Sequence, residues 1–202
     1  MTTPAKPIGV LALQGAFREH RRALERLGAP TIEVRLPEDL ERVAGLIMPG
    51  GESTTIGKLL IEWKLLEPLR RRALAGMPLW GTCAGAILMA QRITERGREM
   101  DQPRLDLLPM TAVRNAFGRQ RESFEADLTI AGIEGSFHAV FIRAPFLEPF
   151  ADSPMEVLTR VGEDAVFVRH KHLMATSFHP ELTDDPRIHR FFLNLVARAE
   201  GR

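Results

Sequence analysis

The chain has 202 residues, 45% hydrophobic and 26% charged, enough to bury the core of one α/β domain and short for two. Its 27 basic side chains stand against 26 acidic ones, a net charge of +1 that offers nucleic acid no phosphate-tracking surface. A single cysteine excludes an internal disulfide and a Cys-rich zinc site and fits a reducing compartment, so a cytoplasmic location is expected.

The apolar run 8–13 reads as a buried strand. It is too short for a signal-peptide core or a membrane span, so no membrane association is expected. A helix follows over 15–27, with Gly28 placed to cap it, and a second strand over 31–36. Residues 45–48 form another short strand, ended by Pro49-Gly50-Gly51, and helices are expected over 54–63 and 65–74. Arg70, Arg71 and Arg72 read as a solvated helix face. Pro78-Leu79-Trp80 is a strand that runs into Gly81-Thr82-Cys83-Ala84-Gly85 and a helix to about Gln91. This alternation implies βαβ units and a mostly parallel sheet. The polar segment 94–104 reads as a mobile loop. Short β-type runs at 128–130, 140–143, 156–161, 165–169 and 173–177 point to antiparallel hairpins at one side of the sheet, and an amphipathic helix over 186–199 closes the chain. The expected fold is therefore a single α/β domain over 1–202.

Gly81-x-Cys83-x-Gly85, between a strand and a helix, is the cysteine counterpart of a nucleophile elbow. Its glycines leave room for a sharp turn that lifts the nucleophile over the C-terminal edge of the sheet. An unperturbed thiol is only a few per cent thiolate at neutral pH, and a helix N-terminus with a nearby imidazolium raises that fraction. A small buried hydrophobe is the alternative fate of a lone cysteine. Among six histidines, His20 and His189 fall in charge-rich helices and read as surface residues, His138 lies in a strand-like run, and His170 and His172 flank a turn. His179 ends an apolar strand and precedes Pro180-Glu181. In an extended segment Glu181 would lie on the same side as His179 and could orient its ring toward Cys83.

Pro49-Gly50-Gly51-Glu52-Ser53-Thr54 follows a strand and opens a helix, so its N–H groups can meet a developing oxyanion together with that of Ala84. As a phosphate loop the stretch fails: five residues separate Gly51 from Gly57, Leu59 has no hydroxyl, and Glu52 repels phosphate.

Together and in this order, these motifs resemble the class I glutamine amidotransferases. Within that class the chain closely resembles the glutaminase subunits of pyridoxal 5′-phosphate synthase. The matching stretches are Gly9-Val10-Leu11-Ala12-Leu13-Gln14-Gly15, residues 49–55 and 81–85, Arg114-Asn115-Ala116-Phe117-Gly118-Arg119-Gln120, Ser123-Phe124-Glu125, Ile142-Arg143-Ala144-Pro145, and Ser177-Phe178-His179-Pro180-Glu181-Leu182. Residues 94–104 match no part of that pattern. The resemblance implies a flavodoxin-like three-layer sandwich with antiparallel strands in its C-terminal half. It implies Cys83, His179 and Glu181 as the triad, and Gly51 and Ala84 as oxyanion donors. Gly50, Gly51, Glu52, Arg114, Ile142 and Arg143 would contact L-glutamine, and Gln14 would lie near the site and the partner interface. Surface ion pairs are the competing fate of the two arginines. The implied reaction frees ammonia through a thioester for a synthase subunit in a hetero-oligomeric complex. Pyridoxal phosphate would be that complex's product and not a cofactor of this chain. A glutaminase for another ammonia-channelling synthase, or a non-catalytic α/β binding module, are the alternatives.

Overall fold

Period-two burial builds the central sheet. In the strand Gly45–Met48, Leu46 and Met48 enter one apolar cluster while Ile47 enters the other, and the same division separates Leu79 from Trp80. Strands that bury both faces need helices on both sides. The computed structural model describes residues 6–115 and 123–201. Its elements in chain order are β1 Ile8–Leu11, α1 Phe17–Arg26, β2 Thr31–Val34, α2 Pro37–Leu40, β3 Gly45–Met48, α3 Ser53–Glu62, α4 Leu66–Leu74, β4 Leu79–Thr82, α5 Ala84–Met89, β5 Ala90–Glu95, β6 Arg98–Glu99, β7 Leu108–Arg114, β8 Ser123–Thr129, β9 Ser136–Ile142, β10 Phe146–Pro149, β11 Glu156–Val161, β12 Asp164–His170, β13 Leu173–Thr176 and α6 Arg187–Ala199.

The main sheet has the order β11-β12-β13-β4-β3-β1-β2. Its β2-β1-β3-β4-β13 portion is parallel, in the flavodoxin-like order, and β11 and β12 add an antiparallel edge. Leu24 of α1 and Phe192 and Val196 of α6 pack on one face against Ile47 and Trp80. Ile56, Leu60 and Leu69 of α3 and α4 cover the other face with α5. The expected three-layer α/β sandwich, mostly parallel with antiparallel strands late in the chain, is the fold observed. Among the described residues no helix is long and apolar enough to cross a membrane.

Two expectations for the middle of the chain are corrected. The helix placed through Gln91 ends at Met89, and the chain turns directly into β5. The segment 94–104, expected as a loop, carries the β5–β6 hairpin, with Thr94 opposite Glu99 and Glu95 opposite Arg98. The hairpin belongs to a second sheet, β10-β7-β5-β6, whose Ile93, Met110, Ala112 and Leu147 join the core on the α3–α5 side. Neither β7 nor β10 was foreseen, because a proline interrupts each run: Pro149 lies on the edge strand β10, and Pro109 falls at the register shift where the inner strand β7 leaves its ladder with β5. The arginine run also does more than face water: Arg70 donates to the Leu105 carbonyl and Arg72 to that of Val43, tying α4 to neighbouring loops.

Candidate active site

The site forms where β1, β3, β4 and β13 end, the edge at which open parallel sheets bind ligands. Cys83 caps α5 at φ 47° and ψ −101°, in the left-handed region that non-glycine residues rarely enter. The flanking glycines explain why the chain can turn there. A Cβ on Gly81 would lie 2.5 Å from the Gly85 carbonyl, and one on Gly85 would fall on the Met48 carbonyl oxygen. Hydrogen bonds from Cys83 N to Thr176 O (2.8 Å) and from Ile87 N to Cys83 O (3.1 Å) hold the elbow. The Cys83 thiol, almost buried, faces the Ile142 carbonyl at 3.8 Å.

β13 delivers His179, whose N–H donates to Val140 O at 2.8 Å. Its Nδ1 is 2.7 Å from Glu181 Oε1, and its ring lines the same cavity as Cys83. The route to this pairing differs from the expected extended segment. Pro180–Leu182 is a turn of 3-10 helix, and that turn swings Glu181 back onto His179. Burial opposes a charged His179, but the neighbouring Cys83 and Glu181 outweigh it and push the pKa up to about 10. For Glu181 burial acts upward, and the neighbouring His20 and His179 outweigh it, holding the carboxyl below its ordinary range.

The opposite wall comes from the turn after β3. Gly50 must be bare, because its Cβ would fall on the His179 ring. The Gly50 carbonyl accepts from Ala16 N at 3.1 Å, fixing the peptide that carries the Gly51 N–H. Gln14 Oε1 accepts from Glu52 N at 2.9 Å. Glu52 is the N-cap of α3, accepting from Thr55 N at 2.7 Å. Burial raises the Glu52 pKa, but the Thr55 and Thr54 amides prevail and lower it. A carboxylate already fills the helix terminus, in keeping with the rejected phosphate loop.

Cys83, His179, Gly51, Glu52, Gln14 and Ile87 line a cavity of about 270 Å³, closed by Ser53, Arg114, Asn115, Ile142 and Arg143. Gly50 and Ala84 lie behind this lining, next to His179 and Cys83 in space and sequence respectively. Arg114 donates to Gln102 Oε1 (2.8 Å) and Thr54 Oγ1 (3.2 Å) and pairs with Glu52 at 3.3 Å. Among the described residues no carboxylate pairs with Arg143, which sits at φ 44° on the cavity rim. The stretch 116–122, which includes the Phe117-Gly118-Arg119-Gln120 motif, lies outside the described residues.

Three site neighbours were missed. His20 and His189, expected at the surface, are fully buried. Helical spacing carried the signal: His20 shares a face with Ala23 and Leu24, and His189 with Phe192 and Val196. Gln102, in the presumed loop, is buried against Arg114, and no sequence pattern marked it.

A protein-family model described as the SNO glutamine amidotransferase family matches residues 10–198. The chain belongs to that family. Over 189 residues it is 57% identical to a protein of Roseiflexus castenholzii named pyridoxal 5′-phosphate synthase subunit PdxT, covering 93% of this chain and 99% of the relative. A Thermus thermophilus protein of the same name is 55% identical over 190 residues, 94% of this chain and 97% of its own. A crystal structure of a glutamine amidotransferase superposes with a TM-score of 0.87 at 54% identity, over 94% of this chain and 98% of that one. The family is enzymatic, and this chain is a glutamine amidotransferase.

The buried histidines set an acid limit on stability. Burial lowers the pKa of His20 and drops that of His189 well below 6.5, the latter helped by His20 and Arg26. Below 6.5 the unfolded chain takes up protons that the fold refuses, so each histidine removes up to about 1.4 kcal/mol of stability per pH unit. His179 acts in the opposite sense. Its raised pKa contributes stability that is full below 6.5 and lost as pH climbs toward 10. Urea midpoints are therefore expected to peak near neutrality and fall on both sides; a midpoint unchanged from pH 6.5 to 5 contradicts neutral His20 and His189.

Proposed function

We propose that this chain is the glutaminase subunit of a pyridoxal 5′-phosphate synthase, hydrolysing L-glutamine to L-glutamate and ammonia. The observation that carries the reading is the convergence of the strained Cys83 elbow with the buried His179–Glu181 pair on one wall of an arginine-rimmed cavity. The Cys83 thiolate attacks the side-chain amide carbon. His179, held by Glu181, gives its proton to the departing nitrogen, which leaves as ammonia. Water, losing a proton to His179, then hydrolyses the γ-glutamyl thioester to glutamate and restores Cys83. The N–H groups of Gly51 and Ala84 serve the oxyanion; loss of one such donor costs on the order of 3 kcal/mol in transition-state stabilisation.

Arg143, free of any carboxylate among the described residues, and Arg114 take the substrate α-carboxylate, the task for which a guanidinium offers paired donors. Gly50, Gly51, Glu52 and Ile142 shape the remaining contacts. Gln14, bonded to the Glu52 amide, couples the first βα turn to this wall, so a partner seated on that turn acts directly on the site. Both relatives are named as synthase subunits, which supports delivery of ammonia to a synthase partner; we place the pair in the cytoplasm, in keeping with the single free thiol. Pyridoxal phosphate is then the product of the assembly and not a cofactor held here.

The test is ammonia release from L-glutamine by the chain alone and with the synthase subunit. Addition of the synthase is expected to raise turnover by about tenfold or more, within the usual range of coupling between sites. Equal turnover with and without it rejects the partner dependence, and no ammonia in either case rejects the glutaminase reading.

A further inference from the structure

Glu181 has two carboxylate oxygens, and the steps above use one. Oε1 meets His179. Oε2 is buried without an aligned hydrogen-bond donor among the described residues, and it lies 3.3 Å from His20 Nε2. A buried carboxylate oxygen is costly unless a polarised hydrogen stands near it. His20 supplies the nearest one, from the inward face of α1. The same Nε2 lies 3.3 Å from Thr82 Oγ1 on β4, and His20 Nδ1 lies 3.0 Å from His189 Nε2 on α6. The Trp80 ring closes the flank edge-on at 5.4 Å.

One neutral arrangement suits all of these contacts. His20 Nε2 faces a carboxylate and a hydroxyl, so it carries the ring hydrogen. Nδ1 is then an acceptor and takes the His189 Nε2–H. His189 Nδ1, buried and without a partner, keeps a bare lone pair.

We propose that neutral His20 is a positioning residue for glutamine hydrolysis: its Nε2–H fixes Glu181 Oε2 so that Oε1 stays on His179, and His189 fixes the tautomer of His20. The proposal rests on the Cys83–His179–Glu181 reading above. A charged His20 would compete with His179 for the same carboxylate. Burial keeps His20 neutral against the pull of Glu181 and Glu19, with His179 acting in the same sense as burial; Arg26 does likewise for His189.

Two measurements test this on the full chain. In ¹⁵N-histidine NMR of the unmodified protein at pH 7, His20 is expected neutral with its hydrogen on Nε2; an Nδ1–H tautomer or an imidazolium overturns the proposal. In kinetics with the synthase subunit, His20→Leu is expected to lower kcat roughly 10- to 100-fold, the scale of a misplaced catalytic group, with KM within about twofold. His20→Gln, which returns an N–H near the Nε2 position, is expected to recover most of kcat. A folded His20→Leu with unchanged kcat overturns the proposal, as does an equal loss in both variants. Cys83→Ala run beside them separates the two levels. If it still releases ammonia the underlying reading fails, whereas an inactive Cys83→Ala beside a fully active His20→Leu removes only the role of His20.

Discussion

His179→Asn is expected to lower glutamine turnover by roughly 10³-fold or more, and Glu181→Gln by at least about tenfold less. The two residues are joined at 2.7 Å but do different work. In the proposed reaction His179 moves a proton in both halves, and asparagine cannot replace it. Glu181 is almost buried and transfers nothing; it holds Nδ1–H so that the other ring nitrogen faces Cys83. Glutamine in its place keeps a carbonyl oxygen that accepts the same hydrogen bond, while the charge that favours an imidazolium is lost. Steady-state kinetics of folded variants, assayed with the synthase subunit, checks the order. Equal and complete losses contradict this division of labour.

Gly85→Ala is expected to cost about 3 kcal/mol of stability or more, the upper part of the overpacking range, and to lower Tm by roughly 6–12 °C. The added Cβ falls on the Met48 carbonyl oxygen, and Met48 pairs in register with Gly81 between β3 and β4. Neither strand can give way, since both lie inside the main sheet. Gly28→Ala is the control. Its φ of 74° carries only left-handed strain of about 1 kcal/mol, and nothing lies within 4 Å of the new Cβ. Thermal melts of the two variants decide the matter; similar melting temperatures contradict the close approach at the elbow.

Much of this molecule was legible from its sequence where local and tertiary demands agree. Residues 45–48 and 156–161 read as strands and are strands to the residue, because β-type runs end there at strong turn signals. The elbow was legible because only glycine fits at 81 and 85. The failures have equally local causes. Ala84–Met89 continues in sequence as good helix, yet β7 offers a parallel partner from Ala90 onward and the chain becomes strand. The nearness of His179 to Glu181 was anticipated from an extended chain and arises instead from the turn that Pro180 initiates. His20 was misplaced because its charged neighbours, Arg18, Glu19, Arg21 and Arg22, mask the narrow inward stripe of α1. The stripe His20, Ala23 and Leu24 was present in the sequence, but its contacts with β4 and α6 emerge only in the fold.

Cys83 bears most of the account, and covalent capture tests it most directly. A glutamine analogue carrying an electrophile in place of the amide is incubated with the chain and its synthase partner, and the adduct is located by mass spectrometry. The expected result is one equivalent bound at Cys83, suppressed by excess L-glutamine, with ammonia release lost in proportion. An unmodified Cys83 under those conditions, while ammonia is still being released, contradicts the account.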